Sequence, residues 1–210
     1  SGGVVFPAKG YLKRLREICD RHGILLIFDE VITGFGRVGK AFAAERFGVI
    51  PDIITSAKGL TNGAIPMGAV FVKDSIYEAF MQGPGPGIEL FHGYTYSGHP
   101  VGAAAAIACL KETEKLNVAA NAGARGAELY EGLKGLAEKH ELIGDVRGGH
   151  GLMCALELVS DRAAKTPIDK ATIGKIFEAT YDAGVMVRVS GPNIIMSPPL
   201  VLTSEDVQQI

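Results

Sequence analysis

Apolar positions along the chain switch between two periods, and the switches mark its elements. Tyr11, Leu12, Leu15, Ile18 and Cys19 recur at helical spacing after Pro7, and Gly23 is placed to close that helix. Residues 24–28 (ILLIF) form an unbroken apolar run, the pattern of a parallel strand covered on both faces. The pattern then predicts a short helix over 41–47 closed by Gly48, and strands over 52–56 and 68–72. A helix capped by Asp74 or Ser75 follows, running to about residue 82. Gly83-Pro84-Gly85-Pro86-Gly87 can continue no regular element and marks a surface loop. A polar-aromatic turn over 92–100 leads into an alanine-rich helix that ends near Leu116.

After Asn117 the pattern changes. One long amphipathic helix is predicted over 118–140, weakened locally by Gly123, Gly126, Gly132 and Gly135. Paired strands are expected around Gly148-Gly149-His150-Gly151, then a helix over 169–182 and short strands over 185–189 and 194–196. Thr203-Ser204-Glu205-Asp206 is a helix start of capping-box type. Strands alternating with helices give an α/β fold with a mainly parallel sheet over residues 1–117. Residues 118–210 are read as a smaller α+β domain.

Composition narrows the partners. With 47% hydrophobic and 21% charged residues, the 210-residue chain is an ordinary globular protein long enough for a real core. A net charge of −2 without any basic run gives no footprint for nucleic acid or an anionic membrane. No signal peptide or membrane-spanning run is expected. Cys19, Cys109 and Cys154 are odd in number and widely spaced, which suits reduced thiols in a cytoplasmic protein, with no disulfide framework and no metal site. The chain opens on Ser1-Gly2-Gly3 and stops soon after a helix start, so it is expected to be a piece of something longer.

Candidate chemistry concentrates in residues 27–58. Asp29 and Lys58 each fall at the carboxyl end of an apolar strand, and in open α/β sheets that edge is where ligands bind. Either residue alone reads more simply as a turn-capping carboxylate or a surface lysine. Together, on successive strands, they are expected to be a buried anion and a buried amine facing one crevice. That pair suits pyridoxal 5'-phosphate: an amine for its aldehyde and a carboxylate for its ring nitrogen. A competing motif lies between them, because Gly34, Gly36 and Gly39 spell a literal GxGxxG. A dinucleotide site needs those glycines directly at the strand-to-helix turn and an acid ending the next strand. Here residues 29–33 intervene, and Asp52 begins a strand instead of ending one.

FDEVITGFGR followed by PDIITSAKGLTNGAIPMGAV closely resembles the class III aminotransferases, pyridoxal phosphate enzymes of fold type I. HGYTYSGHP at 92–100 and RGGHGLMCALEL at 147–158 extend the likeness over essentially the whole chain. GYTYSGHP and MVRVSGPNIIMSPPLV are most similar to the ω-amino acid–pyruvate (β-alanine–pyruvate) subgroup. The resemblance implies that Lys58 holds the cofactor as a Schiff base and moves the proton, while Asp29 binds the pyridine nitrogen. Val31 would pack on the ring. Thr95, with the backbone at Tyr94, would reach the phosphate of a partner subunit's cofactor, in a homodimer or dimer of dimers with sites at the interface. Arg188 would pair with a substrate carboxylate and swing aside for an uncharged amine. Two departures stand out. Ile32 replaces a glutamine that many class III relatives carry, and the family's phosphate cup and ring-stacking aromatic would precede residue 1. The resemblance implies transfer of an amino group from an ω-amino acid or amine to pyruvate. The rivals are an aminomutase or decarboxylase of the same fold, and a non-catalytic fragment that keeps the scaffold.

Overall fold

A computed structural model describes residues 2–82 and 95–210. The loop over 83–87 and Tyr94 lie outside the described residues. The chain divides into two compact units. One comprises Lys9–Phe35 and Phe42–Lys115, and the other Ser1–Ala8, Gly36–Ala41 and Leu116–Ile210.

In the first unit α1 (Tyr11–His22) ends at Gly23, whose φ of 63° lets the backbone fold back. The Ile24 N–H then reaches the Cys19 carbonyl at 2.9 Å. Cys19, Leu12 and Leu15 of this helix pack on Leu26, Phe28 and Val49. β1 (Ile27–Asp29) follows, then α2 (Ala43–Phe47), closed by Gly48 at φ 64°, and β2 (Ile53–Ser56). Because α2 carries the chain back across the sheet, β1 and β2 run parallel, with Ile27 opposite Ile53 and Asp29 opposite Thr55. The connection over 57–68 contains only a short 3₁₀ turn (Lys58–Leu60), so β3 (Ala69–Val72) doubles back antiparallel to β2. Thus one of the two strand pairings among the described residues of this unit is parallel. α3 (Asp74–Phe80) and α4 (Pro100–Lys115) complete the unit.

Two local expectations need correction. The run over 24–28 is not covered on both faces: Ile24, Leu25 and Ile27 are each more than half exposed. The α1 contacts fall on Leu26 and Phe28, so burial alternates with the period of a half-covered strand. The cap of α3 is Lys73, not Asp74 or Ser75, and it makes no side-chain cap hydrogen bond. Asp74 sits inside the first turn, where its charge still complements the helix dipole.

In the second unit α5 (Val118–Lys139) packs on an antiparallel sheet. The sheet is built from β4 (Ile143–Arg147), β5 (Cys154–Asp161), β6 (Thr166–Pro167), β7 (Arg188–Ser190) and β8 (Asn193–Met196). Strand order is β4-β5-β8-β7, with β6 paired to β5. Leu129, Leu133, Leu152, Leu156, Leu158 and Ile194 form the core. α6 (Lys170–Asp182) starts at Asp169, whose carboxylate accepts the Ala171 and Thr172 N–H groups, each at 2.9 Å. α7 (Ser204–Gln209) starts with the reciprocal Thr203–Asp206 capping box that the sequence shows. All three cysteines are free. Among the described residues no helix is long and apolar enough to cross a membrane, and no three metal-ligating side chains converge.

Candidate active site

Parallel pairing brings the carboxyl ends of β1 and β2 to one sheet edge. The Glu30 N–H continues the ladder by donating to the Thr55 carbonyl at 2.8 Å. Beyond it β2 ends at Ser56, a buried residue whose hydroxyl donates to the Ala69 carbonyl at 3.2 Å. The chain then turns sharply and Lys58 takes a φ of 44°, in the left-handed region that side chains disfavour.

That turn is braced from several directions. Leu60 N–H donates to the Ala57 carbonyl at 3.1 Å and Thr61 N–H to the Lys58 carbonyl at 3.3 Å. The buried Thr61 hydroxyl reaches the Ile65 carbonyl at 2.7 Å. From α4 the Cys109 thiol donates to the Gly59 carbonyl at 3.4 Å. Phe35, itself at φ 60°, fills the space where a Gly59 side chain would stand. Its ring meets Phe42 edge-on at 5.2 Å, within a cluster that includes Leu60 and Ala106.

Asp29, Val31 and Lys58 therefore share one edge of the same sheet. Asp29 Oδ1 accepts the Val31 N–H at 3.1 Å, which orients the carboxylate. Val31 is half-buried and Ile32 exposed. The expected burial of the pair is not observed, because Asp29 and Lys58 are both exposed in this chain. Their strands end at the surface of the unit. Thr95 sits in an exposed turn just before α4. Arg188 opens β7 of the other unit, with its side chain exposed.

One buried residue beside this edge was not singled out by sequence reasoning. Glu30 is only 1% exposed, and its carboxylate accepts from Ala43 N–H (2.5 Å), Ala44 N–H (2.7 Å) and the Thr33 hydroxyl (2.9 Å). The alternation of a strand could have found it. Consecutive residues of an acidic pair at a strand end point to opposite sides, so one must turn inward.

The GxGxxG glycines and Asp52 have structural work that excludes the dinucleotide reading. Gly39 approaches α5 so closely that a side-chain carbon there would lie 3.1 Å from Gly123 Cα. Between them, the Arg37 guanidinium donates to the Leu152 and Pro198 carbonyls at 3.0 and 2.5 Å, and its burial lowers its pKa. Asp52 precedes β2 and is taken up by Arg16, Lys73 and the Leu26 N–H, each at 2.7 Å.

Comparison with known proteins fits this arrangement. All of residues 1–210 match the family model described as aminotransferase class-III. The chain is 48% identical to the omega-aminotransferase of Caulobacter vibrioides and 42% identical to the omega-amino acid–pyruvate aminotransferase of Pseudomonas putida. Each alignment covers 100% of this chain and 46% of the relative. Among solved structures it is similar to a PLP-bound amine transaminase from an uncultivated Pseudomonas species. That match has a TM-score of 0.93 at 47% identity and covers 99% of this chain and 47% of that one. It is also similar to an (S)-enantioselective omega-transaminase from Thermomicrobium roseum, with a TM-score of 0.92 at 41% identity, over 100% of this chain and 46% of that one. The fold is thus that of part of a transaminase, and the sheet edge bearing Asp29 and Lys58 falls within it. The chain belongs to the class-III aminotransferase family. It spans about half the length of the curated relatives it matches.

Proposed function

We propose that the complete protein is a pyridoxal 5'-phosphate-dependent transaminase that moves an amino group from an ω-amino acid or amine to pyruvate or another 2-oxo acid. The observation that carries this reading is the placement of Asp29 and Lys58 at one edge of a parallel strand pair. The donor set fits the cofactor: a carboxylate with one oxygen held by Val31 N–H, and a primary amine on the neighbouring strand end. When bound, the cofactor supplies an electron-withdrawing ring and an aldehyde that takes up the amino group.

The residues of this chain divide the work. Lys58 would hold the cofactor through its amine and would carry a proton to and from the substrate carbon. Asp29 would keep a proton on the ring nitrogen, and Val31 would pack against the ring. Thr95 and the Tyr94 backbone bind the phosphate in a partner subunit of a homodimer or dimer of dimers. Arg188 pairs with the carboxylate of β-alanine-like donors and of the acceptor. In this reading residues 1–117 are the C-terminal part of the cofactor-binding domain, residues 118–210 are the small domain, and the enzyme is cytoplasmic. The names of the similar proteins, several with pyruvate as a partner, support the choice of acceptor.

The test uses the complete protein, loaded with pyridoxal 5'-phosphate and mixed with pyruvate and either β-alanine or 1-phenylethylamine. Alanine is the expected product, and Lys58→Ala is expected to abolish both its formation and the Schiff-base absorbance of the bound cofactor. Near-normal turnover in that variant overturns the assignment.

A further inference from the structure

We infer that Glu30 is a positioning residue for Asp29: its buried carboxylate pins the turn whose Val31 N–H holds the Asp29 carboxylate. The inference rests on the transaminase reading given above and extends it to a residue that touches neither cofactor nor substrate.

The acidic pair splits as the strand demands. Asp29 faces out at the sheet edge, and Glu30 faces into the unit at 1% exposure. A carboxylate so placed is costly unless its lone pairs are filled. Here Oε2 accepts from Ala43 N–H and the Thr33 hydroxyl, while Oε1 accepts from Ala44 N–H. The Glu30 backbone is tied on both sides as well. Its N–H donates to Thr55 O at 2.8 Å and its carbonyl accepts Gly34 N–H at 2.9 Å.

The consequence is a closed frame. The side chain links the end of β1 to the first turn of α2, and the Thr33 hydroxyl and Gly34 N–H tie the intervening turn back to the same residue. Val31 lies inside that frame, and its N–H is the described donor to Asp29 Oδ1. Gly34 is needed there, because a side-chain carbon would stand 2.9 Å from the Glu30 carbonyl. The backbone bonds at residue 30 hold the ends of the turn whatever the side chain, and the Glu30 carboxylate adds the ties to Thr33 and to α2 that brace the segment between them. An exposed carboxylate held by one N–H rotates freely once that donor moves.

Glutamine cannot substitute. Its amide offers one acceptor oxygen and turns an NH₂ toward a site where only donors converge. Aspartate is one methylene too short to hold both the Ala43 and the Ala44 N–H groups.

The experiment loads the complete holoenzyme with pyridoxal 5'-phosphate labelled with ¹⁵N in the ring and records the solid-state ¹⁵N resonance. The wild type is expected to give the shift of a protonated ring nitrogen. In Glu30→Gln the resonance moves toward the unprotonated value, and kcat falls about tenfold or more while KM for the amine donor changes little. Thr33→Val, which keeps the carboxylate and removes one donor, produces a smaller movement in the same direction and covers the case in which Glu30→Gln fails to fold. An unmoved resonance in whichever of the two variants folds, with only a lowered melting temperature, makes Glu30 a helix cap and overturns the inference alone. A wild-type protein that takes up no cofactor overturns the transaminase reading, and this inference with it.

Discussion

Phe35 and Gly59 stand so close that a side-chain carbon added to Gly59 would lie 2.8 Å from Phe35 Cβ. Both belong to the brace around Lys58, and Phe35 holds its own backbone at φ 60° to fill that space. The lysine is therefore presented by a turn with almost no room to adjust.

Gly59→Ala tests that packing. The added methyl must push either the Phe35 backbone or the Lys58 turn, and overpacking of this kind costs about 1–3 kcal/mol. The expected outcome is a melting temperature lower by several degrees, together with turnover reduced at least about tenfold, since a small displacement of the amine is felt directly in the rate. An active, fully stable Gly59→Ala protein would show that the turn has slack.

A second prediction concerns the backbone of Lys58 itself. At φ 44° any side chain with a Cβ is strained by about 1–2 kcal/mol, whereas glycine is not. Both Lys58→Ala and Lys58→Gly lose activity, but the glycine variant should be the more stable of the two by about 1 kcal/mol in chemical denaturation. Equal stabilities would mean that the surrounding hydrogen bonds, not the dihedral angle, dominate.

Much of this frame is legible in sequence because it depends on neighbours along the chain. Gly23, Gly48, Asp169 and the Thr203–Asp206 box act within one turn of the helices they end or begin. The strand ends at Asp29 and Ser56 follow from short apolar runs and the turns after them. What stayed hidden depends on distant partners. Arg37 is held by Leu152 and Pro198 carbonyls that no local pattern announces, so the spacing of Gly34, Gly36 and Gly39 could argue against a dinucleotide site without showing what these glycines do. Glu30 turns inward because α2, more than ten residues later, offers it two N–H groups. The exposure of Ile24, Leu25 and Ile27 escaped for a related reason: an apolar run does not say how many of its faces are covered.

Asp52 sets a pH dependence. Lys73, the Leu26 N–H and Arg16 converge on its carboxylate and hold its pKa well below the ordinary carboxylate range. A depressed carboxylate pKa stabilises the fold fully above the unfolded value, about 3.9, and that contribution is lost as pH falls from there through the lower folded value. Asp52→Asn should cost about 2 kcal/mol at neutral pH, since the charge-assisted bonds from Arg16 and Lys73 and the Leu26 N–H bond are weakened together, although Arg16 keeps Asp20. The gap between wild type and variant should narrow as the pH drops below 4. Melting curves from pH 7 to pH 3 check this, and a constant gap would assign the effect to packing alone.

Arg188 decides the class of donor. A guanidinium fork pairs with a carboxylate through two charge-assisted hydrogen bonds that alanine cannot supply. β-Alanine-like donors and pyruvate present such a group, and a plain amine does not. In the complete protein Arg188→Ala should raise KM about tenfold or more for β-alanine and for pyruvate, the loss of one strong ionic contact. The half-reaction with 1-phenylethylamine should be nearly unchanged. That half-reaction is the informative one, because every full cycle needs a keto acid and would carry the pyruvate defect into both measurements. The exposed position of Arg188 on β7 leaves its side chain unconfined by the core, so the substitution should alter recognition without a large loss of stability. Equal losses for charged and uncharged donors would make Arg188 a structural residue and leave carboxylate recognition to some other group.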